Sequence, residues 1–316
     1  MAPGGEDATE EPALFGQGCD QAAQGRVSGL RIAPVDGNTQ PPELPKAALL
    51  VTPSRHHETS IELVKGRVSD AVELPDENWM RQSGPFPSVQ HFLDSSFKNF
   101  EELLCYTRLA EHYRVLDYGC GLARLAIPMS GFLDPENGAY CGVDTDSECI
   151  LRNRKVFASF PNFRFEHVNI FSKMYNPKGR SFEVLSERDF GGPFDLAFLF
   201  SVFTHILPEH ADLLLRALRS QLTGGGELYS SWFLLNDDTQ RAIEAGCAHR
   251  KFATQYGVAR IDNPDVPEGA VAYHETDVIE RFAKAGLTDV RVHYGKWRGC
   301  DDSWIWQDVV VARSST

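Results

Sequence analysis

The stretch VLDYGCGLARLA, residues 115–126, decides how the rest of the chain is read. An apolar run carrying one acidic residue, Asp117, leads straight into Gly119 and Gly121, the pattern of a strand turning sharply into a helix. Glycines at such a turn let the backbone approach a ligand closely. A dinucleotide fingerprint needs a third glycine for close helix packing, and Arg124 stands in its place. A phosphate-cradling P-loop ends in Gly-Lys-Ser/Thr, which the stretch lacks. Both phosphate readings therefore fail on a particular residue, and a tight turn with no ligand is the plain alternative.

Outward from this turn the chain alternates. Strands are predicted at YRVLDYG, YCGVD, FRFEHVN, FDLAFLF and ELYSSWFLL, with helices at ARLAIPMSGFL, SECILRNRKVFASF and PEHADLLLRALRSQL, the last ended by the glycines 224–226. FDLAFLF is continuous and apolar, as strands covered on both faces are. A helix at TDVIERFAKAGL then leads to VRVHYG and WQDVVVAR, which have no helix between them and read as an antiparallel edge hairpin. The spacing predicts an α/β fold: a Rossmann-like, doubly wound, mostly parallel seven-stranded sheet with an antiparallel C-terminal edge hairpin.

Upstream, residues 1–46 are rich in Gly, Pro and acidic residues and are expected to form a disordered arm. Residues 47–110 read as an N-terminal extension: weakly apolar pieces over 47–72 suited to short strands or a loose cap, a turn-rich hinge at WMRQSGPFPS (79–88), and an amphipathic helix with Phe92, Leu93, Phe97, Phe100, Leu103 and Leu104 near helical spacing. Residues 111–316 are then the main domain.

The 316-residue chain carries a formal net charge of −13, which disfavours nucleic acid and anionic membranes as partners. Its seven cysteines form no CxxC pair and read as reduced thiols. With no basic-then-apolar leader and no run of ~18 apolar residues, the expectation is a cytoplasmic protein without a membrane partner. The sequence sets no oligomeric state.

The acidic-x-Gly-x-Gly-x-small pattern, with Asp117, Gly119, Gly121 and Ala123, resembles the class I S-adenosylmethionine-dependent methyltransferases. Further features carry the resemblance across residues 79–313: Ser-Val-Phe-Thr-His after the fourth strand, YNPKG (175–179), SSWFLLN (230–236) and HYGKW with WQDVVVA near the C-terminus. Together these are similar to bacterial-type enzymes acting on small molecules. The resemblance implies S-adenosylmethionine as cofactor. Asp117 would favour its ammonium directly or through water. Arg124, taken as first-turn helical, would pair with its carboxylate.

By the same resemblance Asp144 would accept from the ribose hydroxyls, with Asp146 the better helix cap. Asn169 would meet the adenine edge, Ile170 or Phe171 its face, and Ser201 the methionine part. A loop Asn with no ligand role is an equal alternative for Asn169.

His205, just past a central strand end, is the candidate base; orienting its own loop is the competing role. Tyr175, Trp232, Phe233, His293, Tyr294, Trp297 and Trp304 are candidates for an aromatic acceptor pocket, with core packing the alternative for each. Phe86, Ser88 and Phe92 belong to an expected lid. The adjacent acidic pairs Asp237–Asp238 and Asp301–Asp302 read as solvated, so no metal is expected. No DPPY-type motif follows the fourth strand, which again disfavours nucleic acid. The expected activity is methyl transfer to O, N or S of a small organic acceptor. The alternative is a catalytically silent cofactor-binding module, and a nicotinamide oxidoreductase is disfavoured by Arg124.

Overall fold

Strand β1 (Arg114–Tyr118) lies in the interior of the sheet, with Val115 and Leu116 fully enclosed. The computed structural model describes residues 55–68, 72–82, 86–299 and 303–315. These belong to one unit, 47–316, and the expected arm at 1–46 lies outside the described residues. Around β1 stand β2 (Ala139–Asp144), β3 (Phe163–His167), β4 (Phe194–Leu199), β5 (Leu222–Trp232), β10 (Leu287–His293) and β11 (Asp308–Ser314) in the order β10-β11-β5-β4-β1-β2-β3. Strands β1–β5 pair in parallel, and β11 alone runs against its neighbours, between β5 and β10. The doubly wound sheet and its antiparallel C-terminal pair are therefore as the spacing predicts.

Helices cover both faces. One face carries α6 (Pro208–Ser220) and α8 (Glu275–Lys284), whose Leu214, Leu215, Leu218, Val278 and Phe282 join Leu116, Ala197 and Leu228. The other carries α1 (Arg55–Arg67), α3 (Val89–Tyr106), α4 (Ala126–Phe132) and α5 (Ser147–Val156), packed on Val115, Leu196, Phe198 and Tyr229. Ser88 caps α3 by accepting from the His91 amide, and Phe92, Phe100 and Leu103 are buried at helical spacing. Each such side chain contributes about 1.5–3 kcal/mol on burial. The Tyr229 hydroxyl donates to Glu102 at 2.7 Å, tying α3 to β5.

Several elements differ from expectation. Within 47–72, α1 forms in place of strands or a loose cap, because Ile61 and Val64, one helical turn apart, both bury against the domain. The expected hinge begins inside the short helix α2 (Glu77–Gln82), with Met80 fully buried. The glycines 224–226 do not end α6, which stops at Ser220; they lie within β5, where the β4–β5 register shifts. The expected fifth strand divides at Phe233. The chain leaves the main sheet there and enters a second, four-stranded sheet that no periodicity announces. It consists of β6 (Leu234–Leu235), β9 (Val271–His274), β8 (Ala259–Ile261) and β7 (Thr254–Tyr256), with α7 (Asp237–Glu244) between β6 and β7. Among the described residues no helix is long and apolar enough to cross a membrane.

Candidate active site

The strand order reverses between β1 and β4, the place where open α/β sheets bind ligands, and the loops leaving these two strands approach each other closely there. Gly119 has φ +81°, and a Cβ there would lie 2.4 Å from Val202 Cγ2 of the β4 loop. Gly121 has φ +48° and nothing within 4 Å of a Cβ position, so its turn faces open space. Two non-glycine residues of the same loops, Ala123 (φ +56°) and Ser201 (φ +58°), also take the left-handed conformation. That backbone strain is held at the crevice by the surrounding structure.

Asp144 closes β2 and couples it to the glycine turn. Its Oδ2 accepts from the Gly121 amide at 2.7 Å and its Oδ1 from the Asp146 amide at 2.8 Å. Each oxygen keeps a lone pair for a further donor. Burial raises its pKa against these hydrogen bonds. Asp146 itself caps α5, accepting from the Glu148 and Cys149 amides.

Asp117 is largely enclosed beneath the turn. It is 5% exposed and accepts from the Tyr140 hydroxyl at 2.5 Å. Burial pushes its pKa up to about 7, opposed by Tyr140 and by the charge of Arg124. Of the two expected routes to an ammonium, direct or through water, the enclosed pair with Tyr140 leaves little room for the direct one. Arg124 stands two residues before α4 rather than in its first turn, because Pro128 and the left-handed Ala123 delay the helix. Its guanidinium meets the Ser95 hydroxyl and lies 5.2 Å from the Phe86 ring centre, and burial lowers its pKa to about 10.

Past β3, the exposed Asn169 accepts from the Asn176 side chain at 2.9 Å. Ile170 is 4% exposed and belongs to the core, so of the two residues expected near an adenine face only Phe171, 40% exposed, is available. Past β4, the Ser201 amide donates to Ser231 Oγ, while both the Ser201 and Ser231 hydroxyls donate to Gln307 Oε1 at 2.9 and 2.6 Å. His205 ends a 3₁₀ turn, Phe203–His205, with Nδ1 2.8 Å from the Glu268 carbonyl and the Tyr175 ring edge-on at 6.4 Å. Burial lowers its pKa, and the nearby Arg250 adds to this. The pKa of Tyr175 is raised by burial and by the charge of Asp144.

The expected aromatic pocket divides. Phe233 and Trp297 are packed with Phe252 in a separate core cluster, and Trp232 is fully buried, stacked on Phe203. The Trp297 indole donates to Asp308 at 2.7 Å. These three are structural: hydrophobic burial, not a ligand, accounts for them. Tyr294 is held by Glu275 and by Arg298 over its ring. His293 remains at the strand end, its ring 4.3 Å from that of Tyr106, which stacks on Trp304. Burial and Arg291 push the His293 pKa down to about 4, and its buried Nε2 has no hydrogen-bond partner among the described residues.

Sequence reading missed Tyr106, Ser231, Glu268 and Gln307. Only the polar pair Gln307–Asp308 at the head of an apolar strand offered a signal.

A family model described as a methyltransferase domain matches residues 89–292, from the first residue of α3 to the last but one of β10. The chain belongs to this family. The methyltransferase domain so defined is of the class I S-adenosylmethionine-dependent kind, with the strand order described above. Solved structures similar to it include a methyltransferase from Methanosarcina mazei, 17% identical over 66% of this chain and 94% of that one, with a TM-score of 0.42. Another is magnesium protoporphyrin IX methyltransferase from Synechocystis PCC 6803, 16% identical over 76% of this chain and 94% of that one, TM-score 0.46. A third is human N-acetylserotonin methyltransferase, 16% identical over 80% of this chain and 67% of that one, TM-score 0.44.

Proposed function

We propose that this domain binds S-adenosylmethionine across the ends of β1, β2 and β4 and methylates a small organic acceptor. The observation that carries the reading is the pair of loops at the β1/β4 reversal, where Gly119 meets Val202, Gly121 opens outward and Asp144 is tied to the same turn. The residues fit the cofactor: Asp144 retains lone pairs for ribose hydroxyls, and Arg124, which meets a hydroxyl and a ring, is a candidate partner for a carboxylate. Ser201 and Phe171 border the methionine and adenine ends. Bound there, the cofactor supplies an electrophilic methyl group on a sulfonium.

The chain's part is alignment, exclusion of water and removal of a proton where the acceptor carries one. His205 holds that proton. Burial keeps its imidazole neutral at physiological pH, leaving a ring nitrogen able to accept. Tyr175, His293 and Tyr106 form the aromatic walls of the acceptor side. Residues 111–316 act as the catalytic unit and α1–α3 as its fixed cover. The acidic surface suits a small acceptor better than nucleic acid, and a cytoplasmic setting fits the thiols.

Calorimetric titration with S-adenosylmethionine, using NAD as control, tests the cofactor assignment: binding of the former alone is expected, and binding of neither removes it. Release of S-adenosylhomocysteine with an acceptor panel then separates an enzyme from a silent module. His205→Ala is expected to lower turnover at least a hundredfold with cofactor affinity unchanged. Wild-type turnover would end the base assignment.

A further inference from the structure

The second sheet reaches the candidate centre through one turn. Between β8 and β9 the 3₁₀ turn Pro267–Gly269 presents the Glu268 carbonyl to His205 Nδ1 at 2.8 Å. A carbonyl only accepts, so Nδ1 carries the proton and, in the neutral ring, Nε2 carries the lone pair. The Glu268 side chain faces the other way and holds a different loop. Its Oε2 accepts from the Lys173 amide at 2.8 Å and from Ser172 Oγ at 3.4 Å, while Lys173 Nζ donates to the Asp265 carbonyl at 2.9 Å. Ser172 Oγ also accepts from the Tyr175 amide at 3.3 Å. One residue thus fixes the imidazole through its backbone and the loop bearing Tyr175 through its carboxylate.

We propose that Glu268 is a positioning residue: it locks His205 in the Nδ1-protonated form, with Nε2 free to accept, and clamps the Tyr175 loop beside it. This rests on the reading of His205 as the proton acceptor and names the group that sets its tautomer. The proton leaving an acceptor hydroxyl passes to Nε2, and its electron pair stays on the oxygen. The second sheet is therefore part of the centre, since removing its turn releases both groups. Among the described residues, the charged and titratable groups around the ring are Tyr175, Arg250 and the Glu268 carboxylate, and the acceptor at Nδ1 is the Glu268 carbonyl.

The test is a long-range ¹H–¹⁵N spectrum of the full-length protein with ring-labelled histidine near pH 7.5, His205 being assigned by loss of its signals in His205→Gln. A pyridine-like Nε2 and a pyrrole-like Nδ1 are expected. The opposite pattern, or averaged shifts, overturns the proposal whatever the variants do. Glu268→Ala keeps the backbone carbonyl, so the His205 shifts should hold, while the Lys173 and Tyr175 amides should exchange with solvent at least tenfold faster, and Glu268→Gln, which keeps an oxygen for the Lys173 amide, should restore their protection. Unchanged amide exchange in Glu268→Ala overturns the side-chain half. Because the tautomer is read without turnover, its failure is distinguishable from failure of the base assignment, which His205→Ala kinetics test separately.

Discussion

Gly119 has room for a hydrogen and nothing more. With φ +81° and Val202 Cγ2 at 2.4 Å from a Cβ position, Gly119→Ala meets both backbone strain and overpacking. Left-handed backbone costs about 1–2 kcal/mol for a non-glycine residue, and forced packing about 1–3 kcal/mol. A loss of about 2–5 kcal/mol in urea unfolding is expected. Adding Val202→Ala should return the packing part but not the strain. If the two substitutions are simply additive, the close approach of the loops is not what constrains the glycine.

Asp144→Ala acts differently, on the ligand side. It removes two oxygens that already hold the Gly121 and Asp146 amides. S-adenosylmethionine affinity should fall more than tenfold by calorimetry, about 1.4 kcal/mol or more. Unchanged affinity would remove Asp144 from the ribose site.

Elements explain which parts of the molecule were legible beforehand. The strands β1, β2 and β4, five or six residues each, announce themselves because burial on both faces leaves little choice at most of their positions. The second sheet is built from strands of two to four residues, too short for any period to emerge. The glycine turn, Asp144 and the His205 loop could be located because strand ends fix where ligands sit. Phe233, Trp232 and Trp297 could not be assigned, because an aromatic in a short segment reads the same whether it faces a mouth or a core.

Asp308 shows what holds these elements together. It is fully buried and accepts from the Leu234 amide, the Gly295 amide and the Trp297 indole, joining the C-terminal hairpin to the start of the second sheet. Asp308→Ala leaves three buried donors unpaired, at about 1–3 kcal/mol for each. A loss of at least about 3 kcal/mol is expected in denaturant unfolding. A loss below 1 kcal/mol would mean that the junction rests on apolar packing alone.

At the scale of the whole molecule, three buried carboxyls set the response to pH. Glu102, Asp117 and Asp308 each have burial pushing the pKa up to about 7, against the hydrogen bonds and positive charges that oppose it. Between their ordinary values near 4 and about 7, the folded protein holds protons that the unfolded chain has released. The unfolded state then binds fewer protons, so stability falls as pH rises through this window, by about 1.4 kcal/mol per unit for each group. His293 works in the opposite sense below 6.5. Its folded pKa near 4 means that the unfolded chain takes up a proton first as pH falls, so its contribution is lost on acidification.

Substituting one carboxyl isolates one slope. In Asp117→Asn the amide oxygen still accepts from Tyr140, but nothing there titrates. Measured by urea unfolding at intervals from pH 4 to pH 7, the stability of the wild type relative to Asp117→Asn should decline steadily, by up to about 4 kcal/mol across the range. A difference that stays flat would mean that Asp117 is already ionised in the folded protein. The carboxylate under the glycine turn would then stand charged at all working pH values, and Arg124 would be committed to balancing it rather than to holding a ligand.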